Sequence, residues 1–333
     1  MTDNINSHII GTGYYAPENI INNEYFTSFM DTSDEWISER TGIKERRFVN
    51  KGQGPADIAV PAVEMALKNA NLQVNDIDFI IFATSTPDYY IPGSGCILQE
   101  KMNFPNIGAL DIRNACSGFI FALSIADQYI KTGTYSNILV VTSEVQSTAM
   151  DLSNRGRDIS VIFADGAAAT ILSGTTQNKG ILSTHLHSEG KFVKELWVEA
   201  PSSKANPKLN QDILDEGKHY LKMNGKEVFK HAVKRFPEVI LEGLHHNNLS
   251  SDDIDLLIPH QANVRISKMI QKKLELEDNQ VISNIHKYGN TTAASIPIAL
   301  CESINNNKLN KGDILVLAAF GSGFSWGSAI LKW

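Results

Sequence analysis

Three side chains, a thiol, an imidazole and a carboxamide, stand in contexts suited to acyl chemistry. Cys116 lies in Asn114-Ala115-Cys116-Ser117-Gly118-Phe119, small and polar residues that open onto the apolar helical pattern Ile120 to Ile130. A thiol at a helix start faces unpaired N–H groups and the positive end of the macrodipole. Both favour the thiolate, the form that attacks carbonyls. The plainer reading is a small buried hydrophobe, the usual state of a free cysteine. His260 stands in Pro259-His260-Gln261-Ala262-Asn263, and Asn290 in Tyr288-Gly289-Asn290-Thr291-Thr292. An imidazole and a carboxamide are both N–H donors, and the amide donates without titrating.

An internal repeat suggests how these segments meet. Asn71-Leu72-Gln73-Val74-Asn75-Asp76-Ile77-Asp78-Phe79-Ile80-Ile81 returns, 177 residues later, as Asn248-Leu249-Ser250-Ser251-Asp252-Asp253-Ile254-Asp255-Leu256-Leu257-Ile258. Ile138-Leu139-Val140-Val141 returns as Ile314-Leu315-Val316-Leu317 at an offset of 176. That period is too long for a solenoid and indicates two fused copies of one domain-sized unit. Residues 1–175 form the first half, with the cysteine; residues 176–333 form the second, with the histidine and asparagine. Each copy reads as helix, Asn-Leu turn, buried strand, loop, helix, buried strand. The first opening helix is predicted over Ala59 to Ala70 and its counterpart over Val228 to His246. The short β-rich runs Phe79–Ala83 and Ile138–Thr142 suit strands covered on both faces, hence a layered α/β fold. The offset carries Cys116 to Thr292 or Ala293, so Asn290 precedes a second helix at the mirror of the nucleophile. All three residues then lie at element ends, where α/β folds gather ligand contacts.

Bulk properties narrow the classes. With 30 Lys and Arg against 37 Asp and Glu, the net charge is −7, which argues against general nucleic-acid binding. No apolar run approaches a membrane span. Three cysteines and no signal-like start point to a reducing cytoplasm without disulfides. The polar stretch from Pro201 to Gly217 reads as a surface excursion. Cys96 and Cys301 lie among apolar neighbours and read as core. His185 and His187 alternate as strand neighbours would, so no metal site is expected. The motifs HExxH, GxSxG and the Walker loop are absent. His286, four residues before Asn290, is the rival to His260, but it lacks the Pro-His-Gln-Ala-Asn setting.

The motifs taken together resemble the beta-ketoacyl-acyl-carrier-protein synthase III family. Asp31-Thr32-Ser33-Asp34-Glu35-Trp36-Ile37 with Arg40-Thr41-Gly42-Ile43 is similar to its entry motif. Ala115-Cys116-Ser117-Gly118-Phe119, Pro259-His260-Gln261-Ala262-Asn263 and Gly289-Asn290-Thr291 are similar to its Cys, His and Asn signatures. Gly321-Ser322-Gly323-Phe324-Ser325-Trp326-Gly327 is similar to its C-terminal glycine turn, and the motifs run in family order over about residues 8 to 333. The resemblance implies a thiolase-like five-layered αβαβα fold with two pseudo-symmetric halves, a homodimer, and no cofactor besides acyl-coenzyme A as substrate. It implies an acyl-Cys116 intermediate, an oxyanion hole from the backbone N–H groups of Cys116 and Ser322, and decarboxylation of a malonyl thioester beside His260 and Asn290. Papain-like hydrolysis uses similar side chains in another motif context and order.

The resemblance also assigns contacts. Trp36, Arg40 and Arg155 match positions at the nucleotide end of coenzyme A, with Arg155 and Trp36 sandwiching the adenine; Gly225, Phe229 and Asn263 match the pantetheine tunnel. An acidic carrier-protein partner would need a basic island on this acidic chain. Arg265, Lys268 and Lys272, spaced along one helix face, supply candidates with Lys230. Lys226, Lys230 and Lys234 repeat every four residues on another face. Ile91 takes the place of a bulky aromatic that closes the primer pocket in acetyl-specific members, which would admit longer or branched acyl groups. Arg113, Asn114, Tyr288 and Ser322 depart from the usual family residues. Two other classes stay open: a secondary-metabolism ketosynthase joining longer or beta-keto acyl thioesters, and a non-decarboxylating acyltransferase or hydrolase.

Overall fold

A computed structural model describes residues 5–333. Its two main sheets repeat one plan. In the first, the strands run in the spatial order Asn6–Tyr15, Gly166–Thr175, Asn137–Glu144, Phe79–Ala83, Gly108–Ile112. In the second, the order is Gly180–Ser188, Ser325–Lys332, Ile314–Gly321, Leu256–Pro259, the same series without its last member. Phe79–Ala83 pairs in parallel with Asn137–Glu144, as Leu256–Pro259 does with Ile314–Gly321. The parallel pairs demand crossovers, and the helices Gly118–Lys131 and Ser295–Asn305 supply them.

Strand periodicity decides the layering. Phe79 and Ile81 face one way and join the helix residues Phe119, Leu123, Ile296 and Leu300 in a shared apolar layer that also holds Leu256, Ile258, Leu315 and Leu317 of the second sheet. Ile80 and Phe82 face the other way, against Ile58, Ala62 and Ala66 of the helix Pro55–Ala70. Leu257 and Val316 face outward in the same manner, against Phe236, Val239 and Ile240 of the helix Gly225–His246. Five layers result, helix, sheet, paired helices, sheet, helix. The expected αβαβα fold is the one observed.

The repeat is a matter of backbone as well as sequence. The strands Asn137–Glu144 and Ile314–Gly321 correspond at an offset of 177 at both ends. So do the short 3₁₀ turns Ala115–Ser117 and Thr292–Ala294. Asn71 and Asn248, the paired helix-ending asparagines, both take left-handed backbone at φ 55° and 57°, a conformation asparagine tolerates better than most residues.

Several local expectations shift. The first outer helix begins at Pro55 rather than Ala59, because proline suits the first helical position and Asp57 accepts from the Gly54 N–H at 2.8 Å. Its counterpart begins at Gly225 rather than Val228, with Asn224 as its cap. Pro201 to Gly217 is a largely exposed excursion carrying the short helix Gln211–Asp215. Cys96 is exposed, not core: the helix Ser94–Lys101 turns Leu98 inward, and two residues of helical rotation carry Cys96 to the far side. Cys301 is buried as expected. Among the described residues, no helix is long and apolar enough to cross a membrane.

Candidate active site

The two look-alike turns meet at the interface between the halves. Cys116 sits in the turn Ala115–Ser117, ahead of the helix Gly118–Lys131, and only 5% of it is exposed. Against it lies the end of the strand Ile314–Gly321. A Cβ on Gly321 would stand 2.7 Å from the Cys116 Cβ and 3.1 Å from its backbone nitrogen, so this approach requires glycine. The Ser117 and Ser325 hydroxyls lie 2.7 Å apart, and the Ser325 hydroxyl donates to the Ser322 carbonyl at 2.8 Å. The glycine turn and the nucleophile turn are thereby tied. The Ser322 hydroxyl donates to the Leu196 carbonyl at 2.5 Å, which directs that side chain to a structural contact.

The thiol's environment differs from the expectation drawn from the helix end. Burial pushes the Cys116 pKa up to about 12, assisted by the nearby Glu144 charge and opposed by the cysteine's own backbone N–H. Burial and the neighbouring carboxylate both act against the thiolate that a helix start favours.

His260 and Asn290 come to the same place. His260 follows the strand Leu256–Pro259, anchored by its backbone N–H to the Ala318 carbonyl at 2.8 Å. Its Nδ1 lies 2.6 Å from the Ser295 hydroxyl, whose oxygen also accepts from the Gln261 N–H at 3.2 Å. In the tautomer in which Nδ1 accepts the serine proton, the ring proton sits on Nε2 and makes Nε2–H a donor. Burial lowers the His260 pKa to about 3, so the ring is neutral near pH 7. Its contribution to folding is complete above the ordinary value of 6.5 and is lost as pH falls toward 3. Asn290 is held by its N–H on the Ile162 carbonyl at 3.0 Å and its carbonyl on the Ala164 N–H at 2.9 Å. The Thr292 N–H donates to Asn290 Oδ1 at 2.9 Å, so the carboxamide is oriented by its oxygen and its Nδ2–H₂ is left to donate. His286 is exposed and absent from the cavity walls.

Cys116, His260 and Asn290 line one cavity of about 520 Å³, with Trp36, Arg40, Gly225, Phe229, Asn263 and Arg265 toward its other parts. Asn263 has a structural task there: its amide donates to the Arg40 carbonyl at 2.9 Å and its oxygen accepts from the Arg265 N–H at 2.9 Å. Arg265 lies over Phe229 at 5.5 Å. Arg265, Lys268 and Lys272 share an exposed face, and Lys230, also exposed, pairs with Glu227 at 3.2 Å.

Arg155, beside the cavity, is engaged by neighbours in the ligand-free chain. Its Nε donates to Asp151 at 2.5 Å and its guanidinium lies over Tyr220 at 5.6 Å. Arg157, two residues on, lies 4.8 Å from the Trp36 ring, and Arg40 lies 4.5 Å from the same ring. Asp151 holds the first guanidinium, and the Asp31 carbonyl, accepting from Arg157 at 2.9 Å, holds the second. Ile91 is 80% exposed and lies outside the walls of its own chain's cavity. Its loop is pinned instead to the edge strand Gly108–Ile112, where Asp111 accepts from the Ser94 and Gly95 N–H groups at 2.6 and 2.9 Å.

Sequence reasoning missed three groups at the site: Arg157, Ser295 and the fully buried Glu144. For Glu144 a signal existed, since the 177-residue offset maps it onto Gly321 beside the nucleophile. His185 and His187 share Glu242, at 3.3 and 2.6 Å. Among the described residues, no group of three His, Cys, Asp or Glu side chains is arranged to hold a metal ion.

Stacked guanidinium groups contribute about 0.5–2 kcal/mol each. Arg157→Ala is therefore expected to raise the KM for an adenine-bearing thioester about 3-fold or more, and Arg155→Ala to change it less. Initial rates of both variants across acyl-coenzyme A concentrations check this; a larger effect at Arg155 would reverse the assignment.

Comparison with known proteins bears on this geometry. The family model described as 3-oxoacyl-[acyl-carrier-protein (ACP)] synthase III matches residues 110–190, and its C-terminal companion matches residues 244–333. The beta-ketoacyl-[acyl-carrier-protein] synthase III of Clostridioides difficile is 44% identical over 330 residues, 99% of each chain. That of Caldanaerobacter subterraneus is 42% identical over 333 residues, covering 100% of this chain and 99% of the relative. The crystal structure of 3-oxoacyl-[acyl-carrier-protein] synthase III from Aquifex aeolicus superposes with a TM-score of 0.90 at 39% identity, covering 98% of this chain and 100% of that one. With full-length identity of this order and the two matched models spanning both halves, the chain belongs to the beta-ketoacyl-acyl-carrier-protein synthase III family.

Proposed function

We propose that this protein joins an acyl-coenzyme A primer to malonyl-acyl-carrier protein with loss of carbon dioxide, the opening condensation of fatty acid synthesis. The observation that carries the reading is the single cavity walled by Cys116, His260 and Asn290 with Trp36 and Arg40. In the first half-reaction the Cys116 sulfur bonds to the thioester carbonyl carbon, the bond to the coenzyme A sulfur breaks, and the thiol proton leaves with coenzyme A. The N–H groups of Cys116 and Ser322 receive the developing oxyanion.

In the second half-reaction the malonyl carbon–carboxylate bond breaks and carbon dioxide departs. The electron pair stays on the α-carbon, and its enolate-like oxygen is held by His260 Nε2–H and Asn290 Nδ2–H₂. A neutral imidazole whose Nδ1 is occupied by Ser295 suits that donor role, and burial keeps it neutral. The carbanion then bonds to the acyl carbon, the bond to the Cys116 sulfur breaks, and solvent returns a proton to the thiolate. The product is a beta-ketoacyl thioester on the carrier. Gly225, Phe229 and Asn263 would line the route of the pantetheine arm, and Trp36 with Arg40 and Arg157 the adenine end.

The half-buried edge strand Gly108–Ile112 and the exposed Tyr89, Tyr90 and Ile91 of the same half fit a homodimer. In such a dimer Ile91 would act on a primer pocket across the interface, where its branched side chain leaves more room than an aromatic. Three free cysteines suit a cytoplasmic setting. A secondary-metabolism ketosynthase is the less supported reading: the priming beta-ketosynthase of the R1128 polyketide pathway is 28% identical, against 39% for the Aquifex protein.

Intact-protein mass measurement after exposure to an acyl-coenzyme A panel tests the proposal. The wild type should gain one acyl mass, lose it with carbon dioxide release on addition of malonyl carrier protein, and Cys116→Ala should gain none. Acylation that survives Cys116→Ala, or discharge without carbon dioxide, would defeat it. The carrier itself would dock on the exposed face of Arg265, Lys268 and Lys272, with Lys230 nearby. Lys268→Glu, on the same exposed face but outside the cavity walls, is expected to weaken carrier-dependent turnover about 10-fold while sparing acylation by acyl-coenzyme A; equal loss of both would count against docking there.

A further inference from the structure

The pseudo-symmetry that places Gly321 against Cys116 places a different residue at the mirrored strand end. Glu144 closes the strand Asn137–Glu144 as Gly321 closes Ile314–Gly321, 177 residues later. Where the second half presses a bare glycine against the nucleophile's turn, the first has a carboxylate that is completely buried. It accepts from the Ser85 hydroxyl at 2.7 Å, the Thr86 hydroxyl at 3.0 Å, the Ser85 N–H at 3.2 Å and Gln146 Nε2 at 3.2 Å. The backbone N–H of Ala293 also favours its charged form. Ala293 is the 177-residue mate of Cys116. The carboxylate thus occupies, in the asparagine's turn, the place that a substrate oxyanion would occupy in the cysteine's turn.

From this carboxylate a continuous path reaches Asn290. Gln146 Nε2 lies 3.2 Å from Glu144 and 3.1 Å from the Thr292 hydroxyl, and the Thr292 N–H orients Asn290 Oδ1 at 2.9 Å. Thr292 holds left-handed backbone at φ 53°, and its mate Ala115 does so at φ 44°. A β-branched residue reaches that region only at a cost of about 1–3 kcal/mol, and it persists where surrounding contacts over-determine it. Gln146 and Ala293 supply such contacts on the turn's inner side.

We propose that Glu144, through Gln146 and Thr292, is a positioning residue for the Asn290 carboxamide and hence for the decarboxylative half-reaction. It does not touch substrate. Its hydrogen-bonded path runs to one turn, while its charge also bears on the Cys116 thiol, so Gln146→Met, which keeps the carboxyl group, is the variant that should separate the two half-reactions. This rests on the condensation reading above, and the two can fail separately.

The test uses full-length wild type, Glu144→Gln and Gln146→Met. Two rates are read for each: formation of acyl-Cys116 from acyl-coenzyme A, and single-turnover discharge of pre-acylated protein by malonyl carrier protein with carbon dioxide counted. Gln146→Met is expected to slow discharge about 10-fold, the scale of a misplaced catalytic group, with acylation within about 3-fold of wild type, and it decides the matter. Glu144→Gln should slow discharge at least as much, with its acylation rate unchanged or raised as the charge beside the thiol is removed. A general loss of packing would slow both rates alike, and that result, or unchanged discharge, overturns the inference. A wild type that takes no acyl group would overturn the underlying reading instead.

Discussion

The two inner helices share a single apolar layer, and the chemistry depends on that constraint. Gly118–Lys131 and Ser295–Asn305 bury Phe119, Leu123, Ile296 and Leu300 in one cluster between two sheets. Their N-terminal turns have no freedom to separate while that layer is intact. A nucleophile carried on one turn and a carboxamide carried just before the other are therefore held together by burial rather than by any direct bond. Removing water from such surfaces is worth roughly 25 cal/mol per Å², and no polar contact at the site is needed to match it.

The same dryness sets the site's electrostatics. A surface helix start would favour a thiolate, but here burial drives the Cys116 thiol up and the His260 imidazole down. Both changes disfavour charge. Ser295, Thr292 and the backbone at Cys116 are already arranged as partners or donors. Glu144, raised to about 7 by burial despite several donors, sits behind the turns, outside the cavity walls. A duplicated fold has thus been used asymmetrically, with a bare glycine against Cys116 on one side and a carboxylate at its mirror.

Much of this was legible in the chain itself. The 177-residue repeat survives because its landmarks have physical duties: left-handed Asn71 and Asn248, strands buried on both faces, and turns opening onto inner helices. Cys116, His260 and Asn290 stand at ends of those repeated elements, so the repeat pointed to their meeting. What stayed hidden depends on side-chain direction. Arg155 and Arg157 differ only in which carboxylate or carbonyl captures them first, and nothing in Asn154-Arg155-Gly156-Arg157 reveals Asp151 as the captor of the former. Cys96 looked apolar by its neighbours, yet helical rotation turned it outward.

A crystal structure of the acylated protein bears most directly on the claim that two mirrored turns form one acyl-transfer site. The account predicts the acyl group on Cys116, its carbonyl oxygen within about 3 Å of the Cys116 N–H, and the cavity beside His260 and Asn290 open for a second thioester. An acyl group lodged elsewhere, or a carbonyl oxygen turned away from that N–H, would contradict it.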